Sequence, residues 1–419
     1  MEFVFYKTTK FKETPIGEVP KDWKVVRLKN VAKIIMGQSP PSSTYNKKGE
    51  GLPFLQGKAE FGFIYPSPVT YCSKPIKIAK ANDILISVRA PVGDVNLTPC
   101  RICIGRGLAA IRFNNKVASY LFYFYYLQKV KKFLESLGKG STFKAIVKDD
   151  LESLAVPLPP LPEQKAIAHI LSTVDEAIQK TNEIIEKTKR LKKGLMQELL
   201  TKGIGHKEFK DTEIGRIPKE WEVVRLRDLV KRFVSGGTPS TKEPRFWNGD
   251  IPWITSAHIT KWYVDSGERY ITKEGLERSA TNIVPKGNVI VATRVGIGKS
   301  AFNLIDIAIN QDLTGLIIDK HKVNAEFLVW YLISPRVIRI LLSFTRGTTI
   351  KGISRRDLER LKVPLPSLSE QQKIAKILST VDKRLEIERK RKEKLERIKK
   401  ALMDLLLTGK IRIKVKEYA

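Results

Sequence analysis

The sequence predicts an α+β protein made of two similar globules in tandem, each followed by a long helix, with the two helices pairing as an antiparallel coiled coil. Three observations carry this. The stretch at 157–200, PLPPLPEQKAIAHILSTVDEAIQKTNEIIEKTKRLKKGLMQELL, returns at 364–407 as PLPSLSEQQKIAKILSTVDKRLEIERKRKEKLERIKKALMDLLL, with LSTVD at 171–175 and 378–382. A second block also returns, FKETPIGEVPKDWKVVRL at 11–28 and FKDTEIGRIPKEWEVVRL at 209–226. Between these blocks lie apolar strand-like runs followed by helical stretches, about 150 residues in each half, an ordinary domain size. The divisions that follow are a first globule over 1–158, a first long helix over 159–204, a second globule over 205–365, and a second long helix with a C-terminal tail over 366–419.

The long stretches read as helices from local signals. Leu161-Pro162 and Leu368-Ser369 place Pro or Ser where a helix opens, Ser369 with Gln372 has capping-box spacing, and Glu163 and Glu370 complement a helix N-terminus. Neither copy has a later proline, only Gly194 interrupts the first, and Gly203 and Gly409 are the stops. Apolar residues recur at three-to-four spacing through Ile167, Leu171, Val174, Ile178, Ile185, Leu195 and Leu199, and through Ile374, Leu378, Val381, Leu385, Leu395, Leu402 and Leu406. The stripe is narrow and flanked by Lys, Arg and Glu, which suits a coiled-coil seam; the alternative is that each helix docks on its own globule. Thr181, Thr188, Lys192, Glu388 and Lys392 at seam positions leave room for another protein chain, with Ile185, Lys192, Leu195, Leu395 and Leu402 as the candidate partner-binding residues.

Within each globule the order is the same. A VPK or IPK turn leads to Trp23 or Trp221, expected as a core anchor, and then to a VVRL strand. A small-residue loop follows, Gly37-Gln38-Ser39-Pro40-Pro41 or Gly236-Gly237-Thr238-Pro239-Ser240, and then a strand opening at Pro53-Phe54 or Pro252-Trp253. Here the halves diverge, Leu55-Gln56-Gly57-Lys58 against Ile254-Thr255-Ser256-Ala257-His258. One scaffold reading two targets would look like this, and so would drift in unimportant loops. The halves realign at the buried-strand runs DILISVR, 83–89, and NVIVATR, 288–294, and at apolar strands over 108–113 and 313–318. Helical stretches at 117–137 and 325–344, the latter broken before Pro335, run into the turns Gly140-Ser141-Thr142-Phe143-Lys144 and Gly347-Thr348-Thr349-Ile350-Lys351. Short capped helices at 149–154 and 354–361 deliver the chain to the PLP lead.

Composition narrows the function. The 419 residues carry 76 Lys and Arg against 44 Asp and Glu, a formal net charge of +32 and a pI near 9.9, which points to a polyanion and first to nucleic acid. No apolar run approaches the roughly 18 residues of a membrane span, and the opening MEFVFYKTTKFKE does not read as a signal peptide, so a cytoplasmic protein with no membrane partner is expected. Three cysteines exclude a disulfide framework. Cys100 and Cys103 form one CxxC, but zinc needs a second ligand pair, and Ile305 and Ala308 stand at the equivalent positions; buried apolar cysteines are expected.

No catalytic constellation is visible. Gly298-Lys299-Ser300 imitates the end of a phosphate-binding loop, but Thr293 stands where its first glycine belongs and Asp94 matches Lys299 in the other half. His169, His206, His258 and His321 are scattered, and neither an adenine-methyltransferase NPP-aromatic motif nor HExxH occurs. DNA contact has several candidates, because hydroxyls and cations on glycine-rich turns meet phosphates while Gln, Arg, Ser and His at loop tips read base edges. They are Ser39, Gln56, Lys58, Arg89, Ser141, Thr142 and Lys144 in the first half, and Thr238, Ser256, His258, Arg294, Arg346, Thr348, Thr349 and Lys351 in the second.

The paired PLPxLxEQ leads, each closing a globule and opening a long helix, resemble the conserved regions of type I restriction-modification specificity subunits, and the IPKEW-VVRL blocks and G-[ST]-[ST]-x-K turns resemble that family's target-recognition domains. The resemblance covers nearly the whole chain. It implies a non-catalytic subunit in which each globule binds one half of a bipartite double-stranded DNA target and the helix pair acts as a ruler. It also implies assembly with two modification (methyltransferase) subunits, which methylate adenine, and with restriction (endonuclease/translocase) subunits. This chain would then hold no cofactor, with S-adenosylmethionine, ATP and Mg belonging to the partners. The rival reading is a coiled-coil structural adaptor with non-specific nucleic-acid affinity.

Overall fold

The computed structural model describes residues 2–137, 145–345 and 352–416. The chain divides into two compact units: Met1–Asn182 with Lys390–Ala419, and Glu183–Arg389. Each unit therefore takes one globule together with segments of both long helices.

In the first unit a four-stranded antiparallel sheet has the order Val95–Leu97, Ile84–Ser87, Leu108–Phe113, Ala32–Met36. A five-stranded sheet has the order Tyr45–Asn46, Thr70–Cys72, Leu52–Leu55, Ile102–Ile104, Ile78–Ala79. The run Ile84-Leu85-Ile86 is continuous in sequence but divided by the pleat: Ile84 and Ile86 join a core with Trp23 and the aromatic helix Tyr120–Lys129, while Leu85 faces Leu55 and Ile104. The second unit repeats this, with Val289 and Val291 on the Trp221 side and Ile290 and Ala292 on the other. Its two sheets likewise place Val289–Ala292 beside Leu313–Ile318, and Trp247–Ile254 beside Ile307–Ile309. The expected helix over 117–137 is two helices, Tyr120–Lys129 and Lys131–Leu137, matching Ala325–Leu332 and Pro335–Ser343 in the second unit.

The long helices span Leu161–Leu199 and Leu368–Leu406, each about 58 Å at the ordinary rise per residue. Within the first unit Asp175 meets Lys399 at 2.7 Å, while Ile167 and Leu171, nearer the start of the first helix, share a core with Leu406, nearer the end of the second. Within the second unit Lys192 pairs with Asp382, and Leu199 shares a core with Ile374. The helices pair antiparallel. The LSTVD aspartates supply the ion pairs, and each paired lysine also lies over an aromatic ring, Lys399 at 5.4 Å from Tyr125 and Lys192 at 4.9 Å from Trp330.

The PLP lead is a strand before it is a helix. Ala155–Leu158 pairs antiparallel with Lys24–Arg27, and Lys362–Leu365 with Glu222–Arg225, two-stranded ribbons in which a proline costs no interior ladder bond. The following Glu-Gln then grips the globule. Glu163 accepts from the Trp23 indole at 3.2 Å and from the Arg412 guanidinium at 2.5 and 2.8 Å; Glu370 accepts from the Trp221 indole at 3.0 Å and lies 2.9 Å from His206 Nε2. Arg412 also donates to both oxygens of Asp22 at 2.8 Å. Burial disfavours the Arg412 charge, but its hydrogen bonds to Glu163 and Asp22 outweigh that and raise its pKa. Fully buried Gln164 accepts from Ser119 N and donates to the Val117 and Pro159 carbonyls, and Gln371 does the same with Asn324, Lys322 and Pro366. After each helix Gly203 and Gly409 take positive φ, 68° and 69°, and press on Trp221 and Trp23, where an added Cβ would lie 2.6 and 3.1 Å from the indole.

Two local expectations are corrected. The second long helix is capped by Ser367, whose hydroxyl accepts from Glu370 N at 3.3 Å, and not by Ser369, because Leu368 is already helical. Cys103 is buried beside Cys72, its thiol pushed up to about 11 by burial, but Cys100 is exposed in the turn ahead of its strand.

Replacing Glu163 with Ala leaves the Arg412 guanidinium buried and the Trp23 indole unpaired. Urea unfolding is expected to show a loss of roughly 3 kcal/mol, whereas removing Glu198, whose Lys202 pairing is exposed, changes the curve little.

Candidate nucleic-acid interface

In each unit a parallel pair of strands sends two chain ends out side by side. Leu52–Leu55 runs parallel to Ile102–Ile104 in the first, and Trp247–Ile254 to Ile307–Ile309 in the second. The small-residue loop is laid across these ends. Gly37 N donates to Leu108 O and Gln38 N to Ile104 O; Gly237 N donates to Ile309 O. No side chain fits at Gly37 or Gly236, where a Cβ would stand 2.1 Å from the carbonyl oxygen of Gly105 or Asn310.

This backbone arrangement brings predicted residues together. Ser39 Oγ donates to Gln56 Oε1 at 2.9 Å and accepts from Arg106 N at 3.2 Å. Thr238 Oγ1 donates to Gln311 Oε1 at 2.6 Å. Arg106 and Gln311 are both exposed and stand at matching places beyond the central strands, yet neither was a candidate from sequence. Their signal is an apolar I-x-I strand with an exposed polar side chain two residues past its end, ICIGR and IAINQ.

The other predicted residues are placed differently. Lys58 is ion-paired with Asp94, which also receives Lys131 at 2.6 Å. Burial works against the Asp94 charge, but the hydrogen bonds from Lys131 and Lys58 outweigh it and hold the carboxyl below its ordinary value. In the second unit the charge is reversed and the cross-link kept, because Lys299 donates to the Ser256 carbonyl at 2.9 Å. That use of Lys299, with Ser300 buried in a strand, accounts for the phosphate-loop look-alike. The Ser256 side chain is buried, and His258 Nε2 lies 3.1 Å from Ser266 O. Arg89 and Arg294 are exposed at the ends of their strands, where Arg89 bridges Ala145 and Ile353 N donates to Thr293 O. Ser141, Thr142, Lys144, Arg346, Thr348, Thr349 and Lys351 lie outside the described residues. Of the candidate partner-binding residues, Ile185 is buried, Leu195, Leu395 and Leu402 are half-buried, and Lys192 is held by Asp382. Among the described residues no group of three or more His, Cys, Asp or Glu could hold a metal, and no helix is long and apolar enough to cross a membrane.

A duplicated scaffold that presents matching but chemically different loop tips is the architecture of a DNA specificity protein. The model of the type I restriction modification DNA specificity domain matches residues 20–190 and again 218–397, and the chain belongs to this family, whose members are DNA-recognition subunits. The MjaVIII specificity subunit of a type I restriction enzyme from Methanocaldococcus jannaschii is 34% identical over 98% of both chains. MjaX, from the same organism, is 58% identical over 46% of this chain and 45% of its own length. The crystal structure of a type I restriction-modification S subunit from M. genitalium shares the fold, with a TM-score of 0.62 at 17% identity over 92% of this chain and 96% of that one.

The Asp94 network gives a pH-dependent expectation. Because the folded carboxyl has a depressed pKa, its contribution is present above the ordinary value of about 3.9 and is lost as pH falls through the lower folded value. Asp94→Asn should cost about 1 kcal/mol at pH 7, and the difference from the unsubstituted chain should close as urea unfolding is repeated towards pH 2.

Proposed function

We propose that this chain recognises a bipartite double-stranded DNA sequence, one half-site per globule, for a type I restriction-modification complex, and that it carries out no catalysis itself. The observation that carries this reading is the repeated turn-and-strand framework, which keeps Gly37 and Gly236 at the same crowded place while changing the polar residues around them. A net charge of +32 supplies the sequence-independent attraction to phosphates. Loop side chains supply the discrimination.

The antiparallel helices act as the ruler, since two recognition units on a stiff spacer bind together only when the half-sites match their separation and rotation. The same helices offer the docking surface for two modification subunits, through the half-buried Leu195, Leu395 and Leu402 and not through the buried Ile185 or the ion-paired Lys192, and restriction subunits join that assembly. S-adenosylmethionine, ATP and Mg are assigned to those partners, which carry out adenine methylation or cleavage at the site this chain selects. A cytoplasmic setting follows from the DNA substrate.

Binding to a duplex carrying the cognate split motif should weaken linearly in log–log form as salt rises, and lengthening the gap by one or two base pairs should abolish the preference over random duplex. Equal affinity for every duplex and every spacing would favour the adaptor. Single-molecule methylation mapping of cells with and without this gene should show loss of one split motif bearing methyladenine on both strands, which would also supply the target.

A further inference from the structure

Both units place a hydroxyl at the same point of the small-residue loop, and in both it donates to a glutamine Oε1, Ser39 to Gln56 at 2.9 Å and Thr238 to Gln311 at 2.6 Å. The glutamines are not equivalent in the chain. Gln56 follows the strand Leu52–Leu55, whereas Gln311 lies just beyond Ile307–Ile309, the parallel neighbour of Trp247–Ile254. Strand registers put Leu55 opposite Ile104 and Ile254 opposite Ile309, so the position matching Gln56 is Thr255 and the position matching Gln311 is Arg106. Thr255 is turned to other use, donating from N and Oγ1 to Glu268 at 2.9 and 2.6 Å. The two halves have kept the hydroxyl and exchanged the strand that delivers the carboxamide. A surface hydrogen bond retained only by common descent would join equivalent positions; this one does not.

We propose that Gln56 and Gln311 are specificity-determining residues that read an adenine in their respective half-sites, and that Ser39 and Thr238 are positioning residues that orient them. The inference rests on the DNA-recognition reading above and adds residues and a base to it. Both glutamines are exposed at the loop tips. The hydroxyl bond occupies one lone pair of Oε1 and leaves the other lone pair and both amide N–H groups available. That remaining pattern, one acceptor beside one donor, complements adenine N6–H and N7 in the major groove and no other base edge as well. Fixing the carboxamide before DNA arrives also reduces the rotamer entropy lost on binding.

The test is selection from a pool of randomised duplexes by the purified full-length chain and its variants, with each bound pool sequenced. Gln311→Ala should lower the preference for adenine at one position of one half-site by roughly tenfold and leave the other half unchanged, and Gln56→Ala should do the same in the opposite half. Thr238→Val should relax the same position as Gln311→Ala, and Thr238→Ser should restore it, a rescue that a merely structural role for the loop would not require. Gln56→Ala, Gln311→Ala or Thr238→Val chains that retain every base preference, that weaken all positions of a half-site alike, or that relax a position not occupied by adenine would overturn the proposal, as would a Thr238→Ser chain relaxed as far as Thr238→Val. If the unsubstituted chain selects no split motif, the recognition reading itself fails; if it selects one that survives Gln56→Ala, Gln311→Ala and Thr238→Val alike, only this assignment fails.

Discussion

A carboxylate at the third residue of each long helix ties that helix to its globule, and the rest of each unit depends on the tie. Glu163 is buried and the Glu370 side chain is 14% exposed, so neither can lose its partners without stranding a charge away from water. Each takes an indole N–H from the globule and a basic group from the tail of the other long helix, Arg412 or His206. The next residue, Gln164 or Gln371, bonds the turn that opens the aromatic helix. A two-residue signature thereby fixes tryptophan, helix and tail in one geometry, and the orientation of the loop tips relative to the helix follows from it.

Repetition made much of this architecture readable. Aligning the halves places the long helices at Leu161 and Leu368 and the central strands at Leu108–Phe113 and Leu313–Ile318, where the structure has them. What periodicity could not show is contact across sequence distance. Glu163 looks like a residue placed to satisfy a helix N-terminus, and nothing local announces a bond to an indole 140 residues away. Gln311 is a similar case, since its meaning comes from Thr238 on a neighbouring loop and not from its own surroundings in the chain. Lys58 reads as a free loop cation, yet Asp94 holds it.

The units show which parts of the framework are fixed by packing and which are free to change chemistry. Lysine over an aromatic ring and against an LSTVD aspartate is kept in both, although the ring is Tyr125 in one and Trp330 in the other. The cross-link between the glycine loop and the divergent tip is kept with its sign reversed, Asp94 receiving lysines where Lys299 reaches a carbonyl. Geometry is conserved where backbone approaches backbone, as at Gly37 and Gly236, and the side chains beyond it vary.

The tie has a bearing on how new versions of such a chain can arise by shuffling of gene segments. Arg412 follows the second helix but belongs to the first unit, and His206 follows the first helix but belongs to the second. A crossover between the two repeats would deliver a foreign globule with its own tryptophan and glutamate to a resident tail. Because Arg412 is also clasped by Asp22, an incoming globule lacking that aspartate would leave the buried cation with the glutamate as its remaining carboxylate partner. The joint would therefore act as a compatibility filter on inheritance, admitting an incoming globule by its fit to the resident tail while leaving its loop tips free to diverge.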